Sequence, residues 1–288
     1  MNQNVQFEEQ KYETAFERFM AVAKKAFGGI PFLVLTVIMT ATTLMQAINF
    51  FKSFGNGILG IVVTLLPLAM MILTTVGCWL VWSGAKNGTP DYASKLGLVK
   101  AYPTFLLVIY YIVTIVFAIA GAILIAAANL LEDLLEEFDD AFSELGADEL
   151  GDVFSEIGGD LVGIVVAAVV VVLVVLVLII VRYTMLNKII KKVKNAVEKR
   201  EVPRISPMFF CVLSFIFAGF SLLGSLGILL IDPISGISSL MNIGVIVLPA
   251  VILISVKGEL SGSKKQEAYQ NGDEFEAAVN QNDTFDAE

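Results

Sequence analysis

Leu161 to Val181 reads LVGIVVAAVVVVLVVLVLIIV, twenty-one residues without one charged, amide or hydroxyl side chain. As a helix this run is about 32 Å long, and the hydrocarbon core of a bilayer is about 30 Å thick. Its side chains offer no chemistry, only aliphatic surface, so the run reads as a membrane span. Five further apolar runs of comparable length accompany it, and the six lie at 31–51, 57–83, 103–130, 161–183, 207–231 and 235–256. None contains Asp, Glu, Lys or Arg before its ends. The composition agrees: 57% of the chain is hydrophobic, 16% is charged, and the mean hydropathy is +0.80. A soluble domain of this size carries far more charge. The expected fold is all-α, a polytopic integral membrane protein with six transmembrane helices spanning 30–256 and amphipathic helices outside the membrane.

Orientation follows from the nineteen basic residues. Four precede the first span, three lie in 84–102, eight lie between Arg182 and Arg204, and three follow the sixth span; Lys52 alone falls on the alternate side. Positive charge is retained on the cytoplasmic face, so both termini and the 84–102 and 182–206 connections are expected inside. Trp79, Trp82, Tyr102 and Tyr183 fall near that inner boundary, where interfacial aromatics collect. Residues 1–28 mix acidic and basic side chains and lack the short apolar core of a cleavable signal, which leaves targeting to the first span. Compact loops suggest a bacterial protein of the plasma membrane.

Two segments beside the spans have helical amphipathicity. In 1–29, Phe16, Phe19, Met20, Ala23 and Phe27 share a face, and Gly28-Gly29 end it before Pro31 opens the first span. A helix lying at the lipid interface is the simpler reading, and a docking surface for a partner the sharper one. In 184–202, Leu186, Ile189, Ile190, Val193 and Val197 form an apolar face, and Lys188, Lys191, Lys192 and Lys194 are candidates for contact with anionic lipid headgroups. Nucleic acid is not the expected partner of a basic helix tethered in this way. The tail, 257–288, is polar, acidic and rich in Gly, Ser and Asn, and reads as disordered.

Polar residues within the spans concentrate in the outer half of the first. Thr36, Thr40 and Thr43 share a face, and Gln46 and Asn49 stand beside it. They are candidates for a solvated path, or for interhelical hydrogen bonds, which are common between membrane helices. Pro67 and Pro249 each remove a helical donor, and Thr64 is placed to satisfy a carbonyl freed by Pro67. Prolines also stand at the starts of the odd-numbered spans (Pro31, Pro103, Pro207), as a duplicated hairpin would leave them and as local helix-start preference would too. Small residues spaced by four, Ala118-Ala122-Ala126 and Gly159-Gly163-Ala167, suit close helix contact within one chain or between copies.

Between the third and fourth spans lies a region of twelve carboxylates with no basic residue, 132–160. It repeats itself: DAFSELGAD at Asp140–Asp148 and DVFSEIGGD at Asp152–Asp160. Leu131, Leu135, Phe138, Phe142 and Leu145 are spaced four and three apart, an apolar helical seam. Gly146 and Gly158 fit helix stops, and Asp148 and Asp160 fit helix starts. The region is therefore expected to be an outward acidic helical hairpin, 131–160. Its functional rival is a cation or partner patch made by Glu136, Glu137, Asp139, Asp140, Glu144 and Asp148. An EF-hand loop needs glycine at its sixth position, and counting from Asp139, Asp140 or Asp148 gives Glu144, Leu145 or Val153 instead.

No histidine is present, and Cys78 and Cys211 lie near cytoplasmic span ends, so neither a metal site nor a disulfide is expected. No cofactor is implied. No nucleophile stands with a base, and no phosphate-binding glycine loop occurs. Asn87-Gly-Thr and Asn282-Asp-Thr match the glycosylation pattern but fall on the inner side. Coupled transporters keep ionisable residues inside the bilayer, and these spans have none. The expectation is a non-enzymatic membrane scaffold or accessory subunit whose partner is another membrane protein or a second copy. The alternative is a channel or facilitator lined by the polar first span.

Overall fold

A computed structural model describes the backbone of residues 3–53, 57–144, 148–200, 202–203 and 206–282, with side chains for most of 15–137 and 162–260. Its elements are α1 (Gln3–Gly28), α2 (Ile30–Ser53), α3 (Gly57–Asn87), a 3-10 turn (Pro90–Ala93), α4 (Leu96–Val99), α5 (Ala101–Glu144), α6 (Asp148–Lys199), α7 (Met208–Ile231) and α8 (Pro233–Asn282). No strand occurs among the described residues, and six helices are long and apolar enough to cross a membrane. The protein is an all-α, multi-pass membrane protein. It divides into two units, residues 1–102 with 186–288, and residues 103–185.

Residues 161–181 lie within α6 and are helical despite their valines. Valine loses rotamer freedom in a helix and favours strands in water, but an isolated strand in lipid would leave every backbone polar group unpaired. A helix satisfies them within the segment.

Three helices far exceed the bilayer: α5 has 44 residues, α6 has 52 and α8 has 50. At 1.5 Å per residue these are about 66, 78 and 75 Å long. The sequence places a helix stop at Gly158 and a new start at Asp160, and the structure corrects this: α6 runs unbroken from Asp148 to Lys199. The tail differs in the same way, because α8 continues through Asn282 where composition suggests disorder. Initiating a helix is costly and extending one is cheap. A span held helical by lipid supplies the nucleus, and a glycine costs only about 1 kcal/mol relative to alanine. Gly146 lies outside the described residues, between the end of α5 and the start of α6.

In the first unit, α1, α2, α3, α8, the 88–100 connection and the last turns of α6 share one apolar core. Phe19 and Ala23 of α1 meet Phe32, Leu35 and Met39 of α2 and Cys78, Val81 and Ala85 of α3. Tyr92, Ala93, Leu96, Val193, Ala196 and Ile252 complete the cluster. The apolar faces expected at the lipid boundary therefore lie in protein instead. Phe19 is 1% exposed, and Ile189, Val193 and Ala196 of α6 are all buried. Period alone cannot tell these cases apart, since a helix shows the same apolar stripe to a core as to a membrane.

The 88–100 connection folds back along α3. Gly88, at φ 73°, ends α3; Thr89 N–H donates to Gly84 O (3.0 Å) and Gly88 N–H to Ala85 O (3.4 Å), the two bonds of a Schellman stop. Further along, Tyr92 lies against Gly84, and Leu98 and Val99 lie against Gly77. Tyr102 N–H donates to Thr74 Oγ1 (2.9 Å), and that hydroxyl donates to Leu98 O (3.4 Å). From Gly84 to Thr74 the segment retraces about 15 Å of α3.

Helices α7 and α8 form a tight hairpin. Asp232 caps it: Ser235 Oγ donates to Asp232 Oδ2 (2.6 Å) and Gly236 N–H to Asp232 O (2.9 Å). The Ser225 and Ser239 hydroxyls hydrogen-bond across the pair at 2.7 Å, and Ser225 also donates back to Ser221 O at 2.6 Å, which leaves Ser239 as the donor between them. Pro67 frees the carbonyl of Val63, and Thr64 stands beside it. Its hydroxyl donates back to Gly60 O (2.8 Å) and approaches Ile61 O at 3.3 Å, the usual direction for a helical threonine.

In the second unit, α5 and α6 touch where Val169 fills the space beside Gly121, and where the Tyr110 and Tyr183 rings stack at 5.8 Å. Most large side chains of both helices face outward, Ile123, Ile164 and Val171 among them. Such a surface suits lipid.

Candidate functional site

The polar face of α2 is used to hold α3. Thr36 is fully buried, and Thr42 and Thr43 nearly so. Thr36 donates to Phe32 O, Thr40 to Thr36 O, Thr42 to Ile38 O and Thr43 to Met39 O, all at 2.7–2.9 Å. Each hydroxyl oxygen keeps an acceptor site, and two of these are taken from α3. Thr43 and Thr75 lie 2.8 Å apart; with the Thr43 proton already on Met39 O, Thr75 is the donor. Trp79 Nε1–H donates to Thr40 Oγ1 at 3.0 Å. Interhelical hydrogen bonds in membranes average about 0.6 kcal/mol and reach about 1.7, so these two bonds contribute register more than stability. Gln46 is half-buried and Asn49 exposed, further along α2 and away from this network.

Sequence reasoning missed the partners. Thr74, Thr75 and Trp79 carry no periodic signal of their own, and only the register of α3 against α2 gives them roles. Trp79 also packs edge-on against Trp82 at 5.6 Å, and the Lys86 ammonium lies 4.9 Å from the centre of the Trp82 ring.

On α6, Lys188, Lys191 and Lys192 are exposed, while Lys194 is half-buried and pairs with Glu198 at 3.5 Å, one turn on. Such a partly exposed pair is worth a few tenths of a kcal/mol. The acidic candidates are distributed differently. Glu136, Glu137, Asp139, Asp140 and Glu144 lie along α5, and Asp148 begins α6. Glu137 is exposed; the side chains of the other five lie outside the described residues. No group of three metal-ligating side chains occurs among the described residues.

Arg182, at the end of the apolar run of α6, is buried, with its guanidinium 5.1 Å from the centre of the Tyr183 ring. Cys78 and Cys211 are both buried and free; Cys211 Sγ–H donates weakly to Ala250 O at 3.6 Å. Tyr92 is buried beside Phe27, and its hydroxyl has no hydrogen-bond partner among the described residues. Burial pushes that phenol up from its ordinary pKa.

A second site lies where α1, α2 and α8 meet, a cleft of about 370 Å³ with Lys25 and Glu259 at its rim. Their ion pair is 2.6 Å long. Glu259 falls in the stretch that composition assigns to a disordered tail, so nothing in the sequence joins it to Lys25.

No protein-family model matches the chain, and no curated protein or solved structure is significantly similar to it.

Proposed function

We propose that this multi-pass protein is a non-enzymatic membrane scaffold or accessory subunit. The observation that carries the reading is the Thr43–Thr75 bond with its neighbour Trp79–Thr40. Two of the five side chains best placed to line a path, Thr40 and Thr43, are spent joining α2 to α3, and Thr36 is fully buried with its proton on Phe32 O. Residues on the aliphatic faces of α5 and α6 add no group that could bind an ion or a polar solute. In this reading the protein sits in the plasma membrane with both termini cytoplasmic. Lys188, Lys191 and Lys192 then meet anionic headgroups, each worth about 1 kcal/mol near the surface, and the acidic ends of α5 and α6 project outward to another membrane protein or a second copy.

The orientation is tested by reporter fusions. Those after residues 28, 95, 195 and 265 should report the cytoplasm and one after 147 the exterior; an exterior signal at 195, beside the largest basic cluster, sinks it.

The function is tested in liposomes. The purified protein should give cation flux no greater than empty vesicles, and Thr43→Val with Thr75→Val should lower thermal stability without altering that background. Robust flux in wild type that Thr43→Val with Gln46→Leu reduces would replace the scaffold with a channel.

A further inference from the structure

We propose that the cleft between α1, α2 and α8 binds one phospholipid bearing a primary amine, a phosphatidylethanolamine-type lipid, with its phosphate on Lys25, its ammonium on Glu259 and an acyl chain in the cleft. The cleft holds about 370 Å³, within the range of small-molecule sites. Its walls include Ala26, Pro31, Ile252 and Val256, all apolar. It lies where the apolar run of α2 begins and that of α8 ends, the level at which a lipid changes from chain to headgroup.

The rim is complementary in charge to such a headgroup. Lys25 and Glu259 face each other at 2.6 Å, with side-chain exposures of 74% and 37%. An ammonium has three donors and a carboxylate about four acceptor positions, so the pair retains capacity after bonding to each other. One lipid can add a phosphate oxygen to Lys25 and an N–H to Glu259, giving two charge-assisted bonds without breaking the first. An anionic lipid without an amine satisfies only Lys25 and meets repulsion from Glu259. A choline lipid carries no N–H to donate. The selectivity is therefore for the primary amine and is separate from the attraction of the α6 lysines for negative lipids.

The test uses the full chain in nanodiscs of dioleoyl phosphatidylethanolamine, phosphatidylcholine and phosphatidylglycerol in equal parts, read by native mass spectrometry of the lipid retained on release. Wild type should keep one phosphatidylethanolamine, favoured over phosphatidylcholine by about tenfold or more, the scale of one hydrogen bond to a charged group. Glu259→Gln should reduce that preference to near parity while leaving the thermal midpoint within a few degrees, because the residue is at the rim. Ser255→Trp, which fills the cleft from an exposed position, should abolish retention with the ion pair intact. Equal retention of the amine and choline lipids by wild type overturns the proposal, as does an unchanged preference in Glu259→Gln. Displacement of the lipid by millimolar inorganic phosphate would reduce the site to an anion site on Lys25, and co-purification of a small single-span protein in place of lipid would assign the cleft to that protein.

Discussion

Gly77→Ala should destabilise the protein by about 1–3 kcal/mol, the range for overpacking a filled site. A methyl group at this position would lie 2.7 Å from Leu98 Cβ and Val99 N and 2.9 Å from Leu98 C. Two of these atoms are backbone, so no rotamer change relieves the contact. The segment cannot move away freely either, because Thr74 holds it through Tyr102 N–H and Leu98 O. The sign is informative. Helix propensity alone favours alanine over glycine by about 1 kcal/mol, and Gly219→Ala or Gly224→Ala in α7, where nothing lies within 4 Å, should be neutral or stabilising. Thermal unfolding in one detergent compares the three. If Gly77→Ala is as harmless as the α7 pair, the connection does not pack along α3 as described.

That contact shows where sequence reading succeeds and where it stops. The spans were legible because each is a continuous apolar run, and a bilayer requires length and hydropathy before anything else. The ends of the helices were not. Gly158 and Asp160 make a good local stop-and-start signal, and extension of an already nucleated helix overrides it. Thr36, Thr40 and Thr43 could be picked out as a face, but their meaning depended on Thr75 and Trp79, thirty-odd residues away in sequence, and composition carries no register between two helices. Gly77 and Gly84 are seven residues apart on α3, which places them on one face. Even so, glycines in an apolar helix look like any small-residue stripe until something is seen lying on them. The cleft is the extreme case, since its carboxylate belongs to a stretch that the sequence gives no reason to order.

Phe19→Ala should cost about 3–5 kcal/mol, the usual loss when a fully buried aromatic is truncated. A helix resting on lipid predicts otherwise: losing one phenylalanine there weakens attachment of α1 to the membrane and leaves the remaining fold alone. In the structure Phe19 is 1% exposed and shares its cluster with Val81 and Ala85 of α3, both at 0%, and with Tyr92, Val193 and Ala196. Removing the ring opens a cavity in a cluster to which α1, α2, α3, the 88–100 connection, α6 and α8 all contribute. The damage should therefore spread, with amide exchange rising in 90–99 and 189–197 as well as in α1. Glu17→Ala, on the exposed face of the same helix, should change stability by no more than about 0.5 kcal/mol. Exchange confined to α1 in Phe19→Ala, with 90–99 and 189–197 protected as in wild type, would return α1 to the lipid surface. Loss of protection in all three together requires a single core, built by helices whose periodicity alone would have left each of them on the membrane.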